Sequence, residues 1–332
     1  MPETRVLGRQ RNAKKSKRLA SQPISRPGLF AGRTRILTTG FRRSCSEGRP
    51  ARSWKEASRA SVLLVSPPET TPAYFDAHLH SDGLSNQDLC SMTVFGLKAA
   101  LVPARDAVCD SVKDYLAHFQ GLIQLQAKRL EKIGIRPYAA LGVHPARIPW
   151  HGLEEILAAV PRLAVAGRLV AIGEIGLEKG GAREEQVLER QLELAQELGL
   201  PVLATTPERD KLRLTRRLLA ILRSSNLAPE SALVEHANAQ TIKTIRECGY
   251  RIGLSVNPMH LTAAEAAALV RTYGSDGLVV SSASGDGASD ILALPHTASV
   301  LEEQGLSPLI IRRVLGENAC VFLRVGKDVL TR

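Results

Sequence analysis

No run of residues in this 332-residue chain matches the ~20 consecutive apolar positions that a membrane-spanning helix requires. The apolar run Val62-Leu63-Leu64-Val65 stops at Pro67-Pro68 and is too short for a secretory core. A soluble protein with no membrane partner is expected. Cysteine is sparse as well. Cys45, Cys90, Cys109, Cys248 and Cys320 are odd in number and widely spaced, with no Cys-x-x-Cys, so reduced thiols in a cytoplasmic protein are expected. Also missing is a Gly-x-Gly-x-x-Gly after the first strand-like run, which leaves a doubly wound open sheet as the runner-up fold.

Acidic residues are nearly absent from one region only. The net charge of +11 invites a nucleic-acid partner until it is located: residues 1–70 hold 16 Lys/Arg against 4 Asp/Glu, whereas the remainder holds 28 against 29. The basicity belongs to an N-terminal extension, and residues 71–332 are close to neutral. The extension is rich in Ser, Pro, Gly and Arg, poor in apolar residues and without sustained periodicity, so it is expected to be disordered. Three readings stay open for it: a solvated tail or upstream start-site artefact, a basic arm for nucleic acid or acidic surfaces, and an organelle transit peptide. Four Glu residues and the lack of a clean amphipathic Arg helix weaken the last.

From Tyr74 onward, short apolar runs alternate with longer amphipathic ones. Strand-like runs cover 74–80, 99–103, 137–144, 169–176, 201–205, 232–236, 251–256 and 277–282. Helical patterns cover 111–133, 153–165, 184–198, 211–224, 239–248, 263–273 and 295–304. Gly134, Gly167, Gly199, Gly249, Gly274 and Gly305 sit just past the helical patterns, where a left-handed cap is wanted. Eight βα units over about 255 residues match the size of a (β/α)8 TIM barrel. With 44% hydrophobic content, the chain can bury one large core.

In such a barrel the carboxyl ends of the strands converge on one mouth, so the residues at those ends test the reading. Strand one ends Asp76-Ala77-His78-Leu79-His80, and period-2 alternation puts both histidines on one face, able to chelate one divalent cation. Strand three ends Gly142-Val143-His144-Pro145, strand four Gly173-Glu174-Ile175-Gly176, and strand six Val234-Glu235-His236. Four of the eight strands thus end in a potential ligand or a charged group.

Phe75-Asp76-Ala77-His78-Leu79-His80, Gly142-Val143-His144-Pro145, the Ala171 to Leu177 block followed by Gln191 and Pro201-Val202, and Gly316-Glu317-Asn318-Ala319 together resemble the TatD-related branch of the amidohydrolase superfamily. The similarity runs in order over residues 74–325. The resemblance implies a metal-dependent hydrolase with one or two divalent ions (zinc, manganese or magnesium), most simply a phosphodiesterase acting on a small phosphoester or a nucleic acid. It carries over His78 and His80 as paired ligands of the first metal, Glu174 as the bridging carboxylate and His236 as a ligand of the second. His144 is expected at the mouth, contacting substrate or bracing a ligand, with a loop-fixing role as the alternative.

Two departures stand out. Where relatives end strand five with a ligand histidine, this chain has Thr205, and a hydroxyl is a poor ligand beside imidazole. Where they carry an aspartate at strand eight, this chain has Ser281-Ser282-Ala283-Ser284, with Asp286 and Asp290 a few residues later. Asp286 is the candidate base if its Gly-rich loop bends back to the mouth. Arg209 and Lys211 are candidates to neutralise a phosphate, against the alternative of a charged helix start. Glu235 is expected to point away from the mouth. His118 follows Asp114 at i+4 and is expected to form only a surface pair on a helix face. His151, His260 and His296 have no ligand partner at useful spacing, Cys90 and Cys109 no adjacent base, and Asp290 is expected to cap or precede a helix. The competing function is a barrel that has lost hydrolysis and acts as a binding or pathway-accessory protein.

Overall fold

Alternation along the strands sorts their side chains into two buried clusters. In β2 (Leu97–Pro103), Ala99 and Leu101 join one cluster while Ala100 and Val102 join the other. The same split holds in β5 (Val202–Thr205), β6 (Ala232–Val234) and β8 (Leu278–Ser281), where Leu203, Leu233 and Val279 form the smaller cluster. Strands buried on both faces are the mark of a parallel sheet covered by helices.

The computed structural model describes residues 73–106, 109, 111–164 and 168–331, and the extension over 1–70 lies outside the described residues, as does Gly167. Together with β1 (Tyr74–Asp76), β3 (Arg136–Ala140), β4 (Leu169–Gly176) and β7 (Arg251–Ser255), the strands form one eight-stranded parallel sheet in sequential order. Parallel neighbours consecutive in sequence need a crossover each, and the helical patterns supply them. The seam between β1 and β8 is joined by a parallel bridge from Leu79 to Ser284, with His80 N donating to Ser284 O at 2.8 Å. The result is a nearly closed TIM barrel.

Helix boundaries follow local chemistry. α1 (Asn86–Val94) and α2 (Val112–Gln120) each begin with a capping box, from Ser85 with Asp88 and Ser111 with Asp114. The expected 111–133 helix is continuous, with a π turn between α2 and α3 (Ala127–Ile133). α4 (Leu153–Ala164), α5 (Ala182–Leu198), α6 (Lys211–Ser224), α7 (Ile242–Glu247), α8 (Ala263–Tyr273) and α9 (Ala293–Glu303) follow their strands. Gly134 and Gly199 take the left-handed conformation expected of caps.

The end of the barrel away from the mouth is closed by the C-terminal segment. After α10 (Pro308–Arg312), α11 (Asn318–Leu323) packs Ala319, Cys320, Phe322 and Leu323 against Phe75, Leu101, Leu203, Leu233 and Val279. Asn318 Nδ2 donates to Ser275 O and Leu278 O, both at 2.7 Å, tying this helix to the start of β8. The Gly316-Glu317-Asn318-Ala319 block therefore secures the floor rather than the site. Among the described residues, no helix is long and apolar enough to cross a membrane. Cys90, Cys248 and Cys320 are free thiols, and Cys45 lies outside the described residues.

Candidate metal centre

The site begins where β1 ends. Asp76 is fully buried, and its Oδ1 accepts from His78 N (3.2 Å) and Ser282 N (3.0 Å) while Ser282 Oγ donates to Oδ2. Burial raises its pKa to about 6 against the opposing pull of those hydrogen bonds. Asp76 thus pins the ends of β1 and β8 together and fixes the two histidines that follow. His78 and His80 turn inward together, as alternation requires, and their Nε2 atoms lie 3.0 Å apart.

Glu174 reaches the same point from β4. The β4–β5 register breaks between Ile172 and Ile175, which re-aims the intervening residues into the barrel. Gly173 permits this because a Cβ there would lie 2.6 Å from Leu203 Cβ. Glu174 Oε1 lies 3.5 Å from His78 Nε2 and Oε2 3.7 Å from His80 Nε2. His236 arrives from the end of β6, its ring centroid 5.2 Å from that of His78. One donor atom each from His78, Glu174 and His236 lie within 4.8 Å of one another, and all three residues are buried.

The electrostatics follow from crowding acid and imidazole out of water. Burial raises the Glu174 carboxyl, but His78 and His80 outweigh it and hold it well below the usual carboxylate range. Burial pushes His80 down to about 3, opposed by Glu174 and helped by His78. Burial and the neighbouring His260 push His236 well below its ordinary value. For His78 burial is outweighed by Glu174 and Glu235, and the net shift is well upward. Three imidazoles, each able to bind through a deprotonated ring nitrogen, and one carboxylate form a donor set of borderline softness suited to an ion such as zinc. His78 Nε2 and His80 Nε2 lie 3.0 Å apart and 3.5 and 3.7 Å from the Glu174 oxygens, so the nitrogens and the carboxylate converge on one point where a cation can be shared. The residues fit a divalent ion.

Above this floor lies a cavity of about 300 Å³ whose wall includes His144, Arg105, Glu208, His260, Ala283 and Asp286. Gln191 on α5 clamps the β3 end, its Oε1 accepting from Val143 N (2.6 Å) and its Nε2 donating to Val143 O (3.1 Å). His144 Nδ1 accepts from Ala146 N at 3.2 Å, so its neutral ring carries the proton on Nε2. Asp286 is returned to the wall by the Gly285–Gly287 loop, and its Oδ1 lies 3.6 Å from Arg105 Nη1. Gly285 has φ +95° and packs on His80 O so closely that a Cβ would overlap it.

Several expectations need correction. Glu235 does not point away: Leu233 faces the barrel interior, and alternation carries Glu235 to the same side, where Oε1 lies 3.8 Å from His78 Nδ1. His236 reaches the mouth because its φ of +58° turns the chain at the strand end, after β6 has closed at Val234. His260 has partners after all, with Nδ1 2.9 Å from Glu208 Oε1 and its ring stacked 4.0 Å from His236. Lys211 is buried and pairs with Glu208 at 2.8 Å, Arg209 is exposed, and neither lines the cavity. Arg105, missed in the sequence because it falls in an aperiodic loop after β2, is the cation on the wall. Thr205 and Ala283 line the cavity at the positions where ligands were lacking, and neither Cys90 nor Cys109 does. Asp290 accepts from Leu292 N and pairs with His296 at the start of α9. Asp114 is engaged by Ser111 in the α2 capping box. Glu208 is held down to about 2, first by the His260 hydrogen bond, against partial burial and with help from Lys211.

Comparison with known proteins matches residues 75–285 to the family described as TatD related DNase. A metal-dependent hydrolase of Methanocaldococcus jannaschii is 33% identical over 252 residues, covering 75% of this chain and 99% of its own length. The crystal structure of the TatD-like protein of Archaeoglobus fulgidus superposes with a TM-score of 0.66 at 30% identity, over 76% of this chain and all (100%) of that one. The phosphotriesterase homology protein of Escherichia coli, solved with phosphate in its active site, shares the fold at 17% identity and TM-score 0.58, over 77% of this chain and 100% of that chain.

Proposed function

The chain belongs to the TatD-related DNase family of metal-dependent hydrolases, and we propose that it cleaves a phosphoester at a centre held by His78, His80, Glu174 and His236. The observation that carries this reading is the convergence of buried donors from three strand ends on one point at the floor of the cavity. When bound there, a divalent ion supplies Lewis acidity and brings the pKa of water from 15.7 toward about 7.

The surrounding residues have separable tasks in this reading. Arg105 neutralises the anionic ester, in place of Lys211 and Arg209, and is itself oriented by Asp82 at 3.3 Å and Gly285 O at 3.0 Å. His144 donates its Nε2 proton to a substrate oxygen. Asp286, exposed on the wall beside Arg105, is the base that takes a proton from the attacking water. A cavity of about 300 Å³ suits a small phosphoester or the terminal residue of a nucleic acid better than the middle of a duplex. The free thiols of Cys90, Cys248 and Cys320 favour the reducing cytoplasm. The basic residues 1–70 are read as an arm that adds salt-sensitive affinity for nucleic acid.

Turnover of bis(p-nitrophenyl) phosphate by manganese- or zinc-loaded protein, against Glu174→Ala prepared alongside, tests the proposal. Metal-dependent release of nitrophenol that the variant lacks supports it. Metal binding without turnover of any ester would favour the accessory-protein reading, for which Thr205 and Ala283 are the motivating positions.

A further inference from the structure

Glu235 is a fully enclosed carboxylate beside the centre that the proposed chemistry does not use. It has no exposed surface, and its Oε1 has no hydrogen-bond partner. A buried carboxylate oxygen without a partner is costly, so groups that it serves are expected beside it. Two such groups surround it. Oε1 faces His78 Nδ1 at 3.8 Å, and that nitrogen is likewise buried and unpartnered. Oε2 accepts from Ser255 Oγ at 3.4 Å, and the same hydroxyl lies 2.9 Å from His236 Nδ1.

The neighbouring strand is shaped around this group. A Cβ at Gly253 on β7 would lie 2.2 Å from Glu235 Oε2 and 2.6 Å from its Cδ, so the carboxylate occupies the space that a side chain at 253 would need. Thr206 Oγ1 donates to Glu235 O at 2.8 Å and fixes its backbone.

We propose that Glu235 is a positioning residue that holds both strand-end histidines by their Nδ1 sides, His78 directly and His236 through Ser255, so that both Nε2 lone pairs face the metal. The proposal rests on the ligand set given above. A carboxylate that accepts the His78 Nδ1 proton, and the Ser255 hydroxyl proton so that Ser255 Oγ accepts from His236 Nδ1, sets each tautomer, orients each ring and makes the coordinating nitrogen more basic. One buried acid serving two ligands also couples them: loss of either arm frees one ring, and loss of the acid frees both.

Three variants test this: Glu235→Leu removes both arms, Glu235→Gln keeps one acceptor oxygen, and Ser255→Ala cuts the His236 arm only. Zinc affinity is read by chelator competition. The Nδ1 protons of His78 and His236 are followed by NMR on metal-free protein as downfield, slowly exchanging signals, and thermal melts confirm folding. Glu235→Leu is expected to lose both slow protons and about 10–100-fold in zinc affinity. Glu235→Gln is expected to recover part of that affinity, and Ser255→Ala to lose the His236 proton while keeping that of His78. Should Glu235→Leu fail to fold, the other two carry the same contrast. Unchanged protons and unchanged zinc affinity in folded variants would overturn the proposal. Wild-type protein that binds no zinc would instead overturn the metal reading, and the NMR signals would still decide the role of Glu235.

Discussion

His78 Nε2 and His80 Nε2 lie 3.0 Å apart, so only one of them can carry a proton and donate it to the other. His80 is pushed down to about 3 and His78 well up, which places that proton on His78 in the metal-free protein. A metal ion must displace it. Binding of zinc or manganese at pH 7 is therefore expected to release about one proton, with affinity weakening as pH falls. Calorimetry in two buffers of different ionisation enthalpy measures the number, and binding without proton release would contradict the assignment. Because the folded-state pKa of His78 is raised, its contribution to metal-free stability is full below its ordinary 6.5 and is lost as pH climbs through the raised value.

Gly173 leaves no room for a methyl group, with Leu203 Cβ at 2.6 Å and Leu203 O at 3.0 Å from an ideal Cβ. Gly173→Ala is expected to cost about 1–3 kcal/mol through overpacking. Since Glu174 follows directly, metal affinity is expected to fall as well. Urea unfolding and metal titration of the variant check both, and a fully stable variant with unchanged affinity would contradict the tight-packing account.

The clamp from Gln191 to Val143 satisfies a buried N–H and C=O at the end of β3. Gln191→Leu keeps the volume and leaves both groups unpaired, at about 1–3 kcal/mol for each before relaxation. A loss under ~0.5 kcal/mol in denaturant melts would show that the clamp is not needed. Displacement of His144 is expected to raise KM for an ester substrate in the same variant.

Glu208 carries a folded pKa of about 2 against an ordinary 4.5, owing first to its hydrogen bond with His260. A depressed carboxyl contributes stability that is present above 4.5 and lost as pH falls toward about 2. Its side chain is half exposed, so solvent screening keeps the contribution under about 1 kcal/mol. Thermal melts of wild type and Glu208→Gln are expected to differ slightly at pH 7 and to converge across that acidic window. A difference that grows on acidification would reverse the sign and refute the assignment.

The fold was legible because its signals are periodic. Short, nearly continuous apolar runs such as 99–103 and the longer 3.6-period stretches between them specify strand and helix without tertiary information. The His78/His80 pair was legible for the same reason, and Glu174 through the family resemblance. Irregular backbone hid the rest. β6 ends at Val234, not at residue 236, and the positive φ of His236 lets two consecutive residues face inward, so a simple parity rule discarded Glu235. Counting parity from Leu233 finds it. Arg105, Glu208 and His260 sit in loops where no period applies, and only the folded chain brings them to one wall.

Metal content per chain is the most direct measurement of the central claim that His78, Glu174 and His236 form a metal centre. Elemental analysis after chelator-free purification, on wild type beside His78→Ala, Glu174→Ala and His236→Ala with folding confirmed by thermal melts, is expected to find at least one tightly held divalent ion in wild type and a deficit in each variant. Wild type that takes up no zinc or manganese, or folded variants that keep the full complement, would contradict it.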